Sequence, residues 1–222
     1  MNIVESEARS KQEELRQKDS PYPEKVAPVS CPISELIARR WSSRAFDAAR
    51  PVEREKVRLL LEAARWAPSS FNEQPWRYLV FDSQDPPARE RALACLMDFN
   101  AWARQAPVLM LSVTREIFAH NAQPNQHARH DLGMASENLV LEAVNQGLMA
   151  HQMAGFDVAR ARREFGIPPD CTPMAMIAIG YPFRGDPRDL PVALRAMETQ
   201  PRQRRLLREI AFHGNWNKPY GE

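Results

Sequence analysis

Three short apolar runs limit the folds open to this chain, because longer segments with helical periodicity separate them. The runs are WRYLVF (76–81), APVLMLSV (106–113) and MAMIAIG (174–180). The second run is too continuously apolar to be half exposed, so it predicts a strand buried on both faces. Since strands and helices are interspersed along the chain, the sequence predicts a layered fold of mixed α/β or α+β type.

The segments between the runs have the periodicity of helices. Helices are predicted over residues 53–66, 89–97 and 128–150, with a shorter amphipathic segment after Pro32. The helix over residues 128–150 is apolar around much of its circumference, which is typical of a helix inside a core or at a subunit interface. Residues 117–127 are polar and irregular and predict a flap or a short helix.

Length and composition indicate one large domain. The chain has 222 residues and is 44% hydrophobic, which is enough to bury a sizeable core. Residues 1–27 are polar and dense in both charges, so they predict a flexible N-terminal arm before a domain over residues 28–222. The segment after Pro182 is rich in proline and arginine and predicts an extended tail that lies over something else.

Several enzyme classes are unsupported because their motifs are missing. The sequence has no G-x-G-x-x-G, no G-x-x-x-x-G-K-[ST], no G-x-S-x-G and no H-E-x-x-H. The net charge of +2 argues against a nucleic-acid-binding protein. His127, His130 and Asp131 have a spacing that could supply metal ligands, but a solvated helix start is the favoured interpretation, because no further histidine or cysteine completes a site.

The expected location is the cytoplasm. Cys31, Cys95 and Cys171 are far apart in the sequence, which indicates free thiols in a reducing compartment. The first residues contain no apolar signal-peptide core, and no stretch of about 18 apolar residues exists that could span a membrane. The sequence therefore predicts a soluble protein without a membrane anchor.

Four segments together resemble the FMN-dependent nitroreductase family over roughly residues 28–220. They are RRWSSRAFD (39–47), APSSFNEQPWRYLVF (67–81), GLMAHQMAGFD (147–157) with MIAIGYP (176–182), and PRQRRLLREIAF (201–212). The resemblance implies an α+β fold of three layers, with a central mixed sheet flanked by helices. It also implies an intertwined homodimer with two FMN sites at the interface and a tail that crosses onto the partner.

The resemblance assigns the FMN phosphate to basic residues from both ends of the domain. Arg40, Trp41 and Ser42 match the first phosphate-binding motif, and Arg202 and Arg204 match a basic pair near the C-terminus. Arginine forks suit a phosphate group. Taken alone, the first group also fits a solvated helix end and the second a basic surface tail.

The resemblance assigns other residues to the flavin ring. Arg44 and Asn100 match positions at the pyrimidine edge, where the family often has a further lysine; here either Arg104 substitutes or Arg44 acts alone. Gln152, Met153, Ala154 and Gly155 match the stretch facing the N5 side, with Met153 either against the ring or filling the core. Ser69, Ser70 and Asn72 match a loop that reaches the neighbouring subunit's flavin, supported by Gln74. A turn closed by its own side chains is compatible with that role.

The resemblance implies an FMN oxidoreductase that takes hydride from NADH or NADPH. Electrons then pass to a small flat acceptor, a nitroaromatic or a quinone, with ping-pong kinetics. Flavin N5 carries the chemistry, so no protein acid or base is named as catalytic, and no metal, membrane or nucleic-acid partner is expected. The alternatives are a flavin-fragmenting or reductive-dehalogenating enzyme of the same fold, and a non-enzymatic flavin-binding protein.

Overall fold

The computed structural model describes residues 25–221, which contain four strands and six α-helices. The strands are β1 (Trp76–Phe81), β2 (Val108–Arg115), β3 (Met149–Met153) and β4 (Cys171–Gly180). The helices are α1 (Glu35–Arg39), α2 (Arg54–Arg65), α3 (Pro86–Leu93), α4 (Ala128–Asn145), α5 (Val158–Glu164) and α6 (Val192–Thr199). The arm predicted over residues 1–27 falls largely outside the described residues.

The four strands form one sheet in the order β1-β2-β4-β3. All three pairings are antiparallel, so the prediction of a mixed sheet is wrong for the described residues. The connection between β3 and β4 contains the seven-residue α5, which rises about 10 Å.

Helices cover both faces of the sheet, which confirms the three-layer architecture. Alternate residues of β2 enter different cores, with Leu109 and Leu111 on one face and Val108 and Met110 on the other. The first core is closed by α3 and α5, and the second by α2 and α4. The strand predicted over 106–113 is therefore buried on both faces, as its composition indicated.

The strand β3 was not predicted from the sequence, because its apolar residues continue the apolar pattern of the preceding helix. The helix predicted over 128–150 ends at Asn145, and Gly147, at φ +71°, reverses the chain into β3. The helix predicted over 89–97 instead spans Pro86–Leu93, where the Asp85 side chain accepts the Ala88 N–H. Residues 117–127 contain no helix; an isolated bridge joins Ile117 to Pro124.

The C-terminal segment packs against the N-terminal part of the described chain before its last residues extend away from the domain. Phe183 N–H donates to the Ala45 carbonyl, and α6 follows, with Glu198 fully buried on its last turn. Arg202 then bonds to carbonyls near the start of the described chain. No helix within residues 25–221 has the length and apolar character needed to cross a membrane.

Candidate functional site

Five cations from three parts of the chain meet beside the end of α1. Arg202 Nη1 donates to the Lys25 carbonyl at 2.8 Å and to the Ala38 carbonyl at 2.6 Å, which joins the tail to the N-terminal segment. Burial and the neighbouring Arg40 and Arg204 lower the pKa of Arg202. Burial, Arg202 and Arg44 likewise lower the pKa of Lys25. We call Lys25, Arg40, Arg44, Arg202 and Arg204 the cation cluster.

The cation cluster has little negative charge to balance it. Arg40 Nε lies 3.6 Å from Glu137 Oε1 on α4, and this is the one ion pair that the cluster makes within residues 25–221. The structure thus brings together all four arginines that the sequence assigned to phosphate and pyrimidine, and adds Lys25. Like charges so close together favour a bound anion, and arginine forks match phosphate oxygens.

Trp41 supports the cation cluster, because its buried ring packs against the domain and contacts Lys25. Its ring is 9% exposed and packs with Ala45 and Leu190, and Lys25 Nζ lies 4.4 Å from the ring centroid. A cation over an indole face is a favourable contact. Trp41 therefore supports the cluster through its ring, while the neighbouring Ser42 is exposed.

Arg44 lies at the edge of a small aromatic group. Its guanidinium carbon is 5.9 Å from the centroid of the Trp102 ring, which tilts against His151 at 4.7 Å. His151 Nδ1 lies 3.0 Å from the Ser43 carbonyl, and burial lowers the pKa of His151 to about 4, so this imidazole is neutral at physiological pH. Trp102 was not predicted as part of the site, because an isolated aromatic residue carries no motif.

Arg104 does not join the cation cluster in this structure. Its Nη1 lies 3.0 Å from Glu90 Oε2, and both side chains are more than half exposed. An exposed pair of this kind belongs to the surface of α3 and the turn that follows it. Of the two alternatives for the pyrimidine edge, this geometry favours Arg44 alone.

Asn100 and Gly155 come together as a second group. The buried Asn100 Nδ2 donates to the Gly155 carbonyl at 2.9 Å, and the Met97 N–H donates to the same oxygen at 3.1 Å. A Cβ added at Gly155 would collide with the Phe99 ring and lie 2.7 Å from Asn100 Nδ2. Glycine is therefore required for this close approach.

The neighbours of Gly155 differ in what they present to the surface. Gln152 and Ala154 are exposed, whereas Met153 is 3% exposed and lies in the core that α3 and α5 close. The Met153 side chain thus fills the core rather than an open face. Alternation along β3 explains this, since successive side chains point to opposite faces.

The loop over residues 69–74 is held by its own hydrogen bonds and by α4. The Gln74 N–H donates to Ser69 Oγ at 3.0 Å, and the Ser70 N–H donates to the buried Asp131 Oδ2 at 3.0 Å. Phe71, Asn72 and Gln74 all have positive φ, between 51° and 54°. Each such non-glycine residue costs on the order of 1 kcal/mol, and strain of this kind clusters at functional sites.

This loop is separate from the rest of the candidate site within one chain. No hydrogen bond, ion pair or ring contact among the described residues joins it to the cation cluster or to the Asn100–Gly155 group. Phe71, at the tip of this loop, is 87% exposed.

The possible metal site at His127, His130 and Asp131 receives no support from the structure. Residues 25–221 contain no group of three or more histidine, cysteine, aspartate or glutamate side chains that could hold a metal ion.

Comparisons with known proteins agree with the fold and with the sequence motifs. A family model described as the nitroreductase family matches residues 37–102 and 96–181. A crystal structure of an oxidoreductase containing FMN superposes with a TM-score of 0.79 at 32% identity, covering 86% of this chain and 96% of that one.

Curated relatives extend the comparison. An NADH dehydrogenase of Thermus thermophilus is 30% identical over 165 residues, which are 60% of this chain and 78% of the relative. A nitrobenzene nitroreductase of Ectopseudomonas oleovorans is 45% identical over 64 residues, which are 29% of this chain and 26% of the relative. With the family model matching well over half of its length, the chain belongs to the nitroreductase family.

Proposed function

We propose that this protein is a cytoplasmic, homodimeric FMN oxidoreductase that takes hydride from NADH or NADPH and reduces a small flat acceptor, a nitroaromatic or a quinone. The observation that carries the proposal is the cation cluster, which gathers five positive side chains around one acidic neighbour. Support comes from the FMN-containing structural relative and from the NADH dehydrogenase and nitroreductase relatives.

The residues present fit the chemical parts of FMN. A dianionic phosphate suits the cation cluster, where Arg202 has donors beyond the Nη1 that binds carbonyls. Arg44 and Asn100 supply polar atoms for the pyrimidine edge, and the resemblance assigns the backbone near Gly155 to the N5 side. Ser69, Ser70 and Asn72 remain for the ribityl hydroxyls and the ring edge of a neighbouring subunit.

When bound, FMN supplies the hydride-accepting N5 and the electron transfer to the acceptor. The chain's own residues bind the phosphate and set the charge beside the ring. Burial lowers the pKa of His151 to about 4, so its imidazole is neutral near pH 7 and adds no positive charge to that of Arg44. No protein side chain is needed as an acid or base.

The tail provides the support for a homodimer. Beyond Arg204, no hydrogen bond, ion pair or ring contact links residues 205–221 to earlier described residues. This segment nevertheless exposes large apolar side chains, namely Leu206, Leu207, Ile210, Trp216 and Tyr220. Contiguous exposed apolar surface marks an interaction site. We propose a second copy of this chain as the partner that covers it.

Ping-pong kinetics test the proposed reaction. The pyridine nucleotide and the acceptor would use the same open face in turn, since the described chain offers no separate dinucleotide motif. Initial rates with NADH and a quinone should therefore give parallel double-reciprocal lines. Intersecting lines from the purified, flavin-loaded enzyme would contradict the single-face arrangement.

Arg40→Ala and Arg202→Ala should each weaken FMN binding by about 1.5–3 kcal/mol, because each removes charged hydrogen bonds to the phosphate. Titration with both FMN and riboflavin measures this, since riboflavin lacks the phosphate. The two variants should lose the preference for FMN, whereas Arg205→Ala, an exposed neighbour in the tail, should keep it. Equal weakening toward both flavins would indicate damage to the fold and would remove the phosphate assignment.

Arg44→Met should retain FMN but lower its reduction potential. A fixed cation at the pyrimidine edge stabilises the negative charge of the reduced flavin, and losing about 1–3 kcal/mol corresponds to about 20–60 mV for a two-electron couple. Arg44→Lys should restore most of the potential, and Arg39→Met, which breaks a surface pair with Glu35, should leave it unchanged. A wild-type potential in Arg44→Met would exclude the electronic role.

A mixed dimer should show that the loop over residues 69–74 serves the partner's flavin. One subunit carries Ser70→Trp, which should block the site that its loop enters, and the other carries Arg40→Glu with Arg202→Glu, which should destroy its own phosphate site. If the loop acts across the interface, both lesions fall on one site and the heterodimer binds one FMN.

The two parental homodimers are the controls, and both should be empty of flavin. If the loop instead acts within its own subunit, each site carries one lesion and the heterodimer is empty as well. A heterodimer without FMN would therefore overturn the cross-subunit assignment. Flavin absorbance measured against protein concentration gives the count.

A further inference from the structure

Glu198 is a fully buried carboxylate that binds the turn carrying Arg44. Its Oε2 accepts from Ser43 Oγ at 2.9 Å, and its Oε1 accepts from the Arg44 N–H at 2.8 Å. The Ala45 N–H donates to Ser43 Oγ at 3.2 Å, which closes the same turn. Glu198 lies on the last turn of α6, more than 150 residues from this turn in sequence, so one tail side chain fixes its conformation.

The carboxylate is retained at a cost. Within residues 25–221 no cation lies within ion-pair distance of Glu198, although the cation cluster is close by in the fold. Burial raises the pKa of Glu198 to about 7, against the opposing effect of the Arg44 and Ala45 N–H groups. A buried ionised acid without a counter-ion destabilises a fold unless hydrogen bonds compensate for its lost hydration.

The Ser43 hydroxyl makes the arrangement sensitive to protonation. Ser43 Oγ lies 2.9 Å from Glu198 Oε2 and 3.3 Å from the Ala45 carbonyl, but a hydroxyl has only one proton to donate. When Glu198 is ionised, the proton goes to the carboxylate. When Glu198 is protonated, its own O–H donates to Ser43 Oγ, and the serine proton turns to the Ala45 carbonyl.

We propose that Glu198 is a positioning residue that presents Arg44 to the flavin ring and thereby sets the reduction potential of the cofactor. The proposal rests on the FMN function proposed above. Arg44 is held through its backbone N–H, and its side chain leaves the turn toward Trp102. If the turn relaxes, the guanidinium loses its fixed place relative to the ring edge.

Other charged groups lie on the elements around Glu198 and limit the pH window in which its titration can be seen separately. Arg44 lies on the turn, and His151 on β3 contacts the Ser43 carbonyl. Lys25 Nζ donates to the Met197 carbonyl, and Arg195 lies on α6. The pKa of His151, about 4, lies below the window, and the pKa values of Lys25 and Arg44, though lowered, start from far above it. Glu198 is therefore the group here that titrates near neutrality.

The sign of the linkage follows from the raised pKa. Protonation favours the folded chain, so this stabilisation is complete below the ordinary pKa of a glutamate and is lost as pH rises through about 7. Ionisation also adds a negative charge beside Arg44. The flavin potential should thus fall more steeply with pH around neutrality in the wild type than in a variant without this charge.

A double-mutant cycle between Glu198 and Arg44 tests the proposal. Glu198→Ala should lower the flavin potential in the wild-type background toward the Arg44→Met value, because Arg44 loses its fixed position. In the Arg44→Met background it should instead leave only the small rise that follows from removing a negative charge. Equal shifts in both backgrounds, or no shift at all, would overturn the positioning role. Glu55→Ala, which removes an exposed glutamate paired with Arg58, is the matched control and should change nothing.

Glu198→Gln keeps the test decisive if Glu198→Ala does not fold. The amide mimics the protonated acid, because its NH₂ donates to Ser43 Oγ while its oxygen accepts from the Arg44 N–H. This variant should bind FMN within about threefold of the wild type. It should also lose the extra pH dependence of the potential near pH 7, while the contribution of the flavin itself remains. An unchanged pH profile would contradict the proposal.

The outcomes also separate this inference from the proposed function. If the wild type binds no FMN, the proposed function fails. If FMN binds and Arg44→Met lowers its potential, but neither Glu198 variant does what is expected, only the positioning role of Glu198 fails.

Discussion

The candidate site depends on a group of positive charges with little negative charge to balance it, which the C-terminal tail holds in place. Arg202 reaches across to the carbonyls of Lys25 and Ala38 and so fixes the tail, the N-terminal segment and α1 around one another. Burial, and after it the repulsion among these cations, lowers the pKa values of Lys25 and Arg202. An anion that satisfies these groups would stabilise the chain as well as complete a site, because binding to the folded state alone shifts the folding equilibrium.

Buried polar side chains lie next to the cation cluster, at positions where apolar residues would pack at a lower cost in free energy. Ser43, His151 and Glu198 are all nearly or fully inaccessible, and they share hydrogen bonds around one turn. Packing alone would be served better by apolar side chains. A network of this kind instead fixes one conformation, which suits a turn that has to present Arg44 in a defined direction.

Much of the fold could be predicted because its strands are short apolar runs with clear boundaries. The three predicted strands were confirmed, and the helix over residues 53–66 was correct to one residue at each end. The strand β3 was missed because MAHQM continues an apolar helix and only the φ of Gly147 separates them. The antiparallel pairing of all the described strands was not predicted, because a pattern of apolar residues does not fix the direction of neighbouring strands.

The grouping of the arginines was predictable from the family resemblance rather than from charge alone. Arg40, Arg44, Arg202 and Arg204 lie together, as the resemblance implied, and their contact with a phosphate stays a prediction. Lys25, Trp102 and Glu198 were not predictable as parts of this group, because each is an isolated residue that tertiary contacts bring into place. For Met153 the sequence left two alternatives, and the structure places its side chain in the core.

The most direct test of the account is the flavin content of the purified protein after incubation with FMN and removal of free cofactor. Absorption bands at about 370 and 450 nm are expected, with one FMN per chain identified by the mass of the released cofactor. A colourless protein that retains no flavin would contradict the assignment of the cation cluster to the FMN phosphate, and with it the proposed reaction.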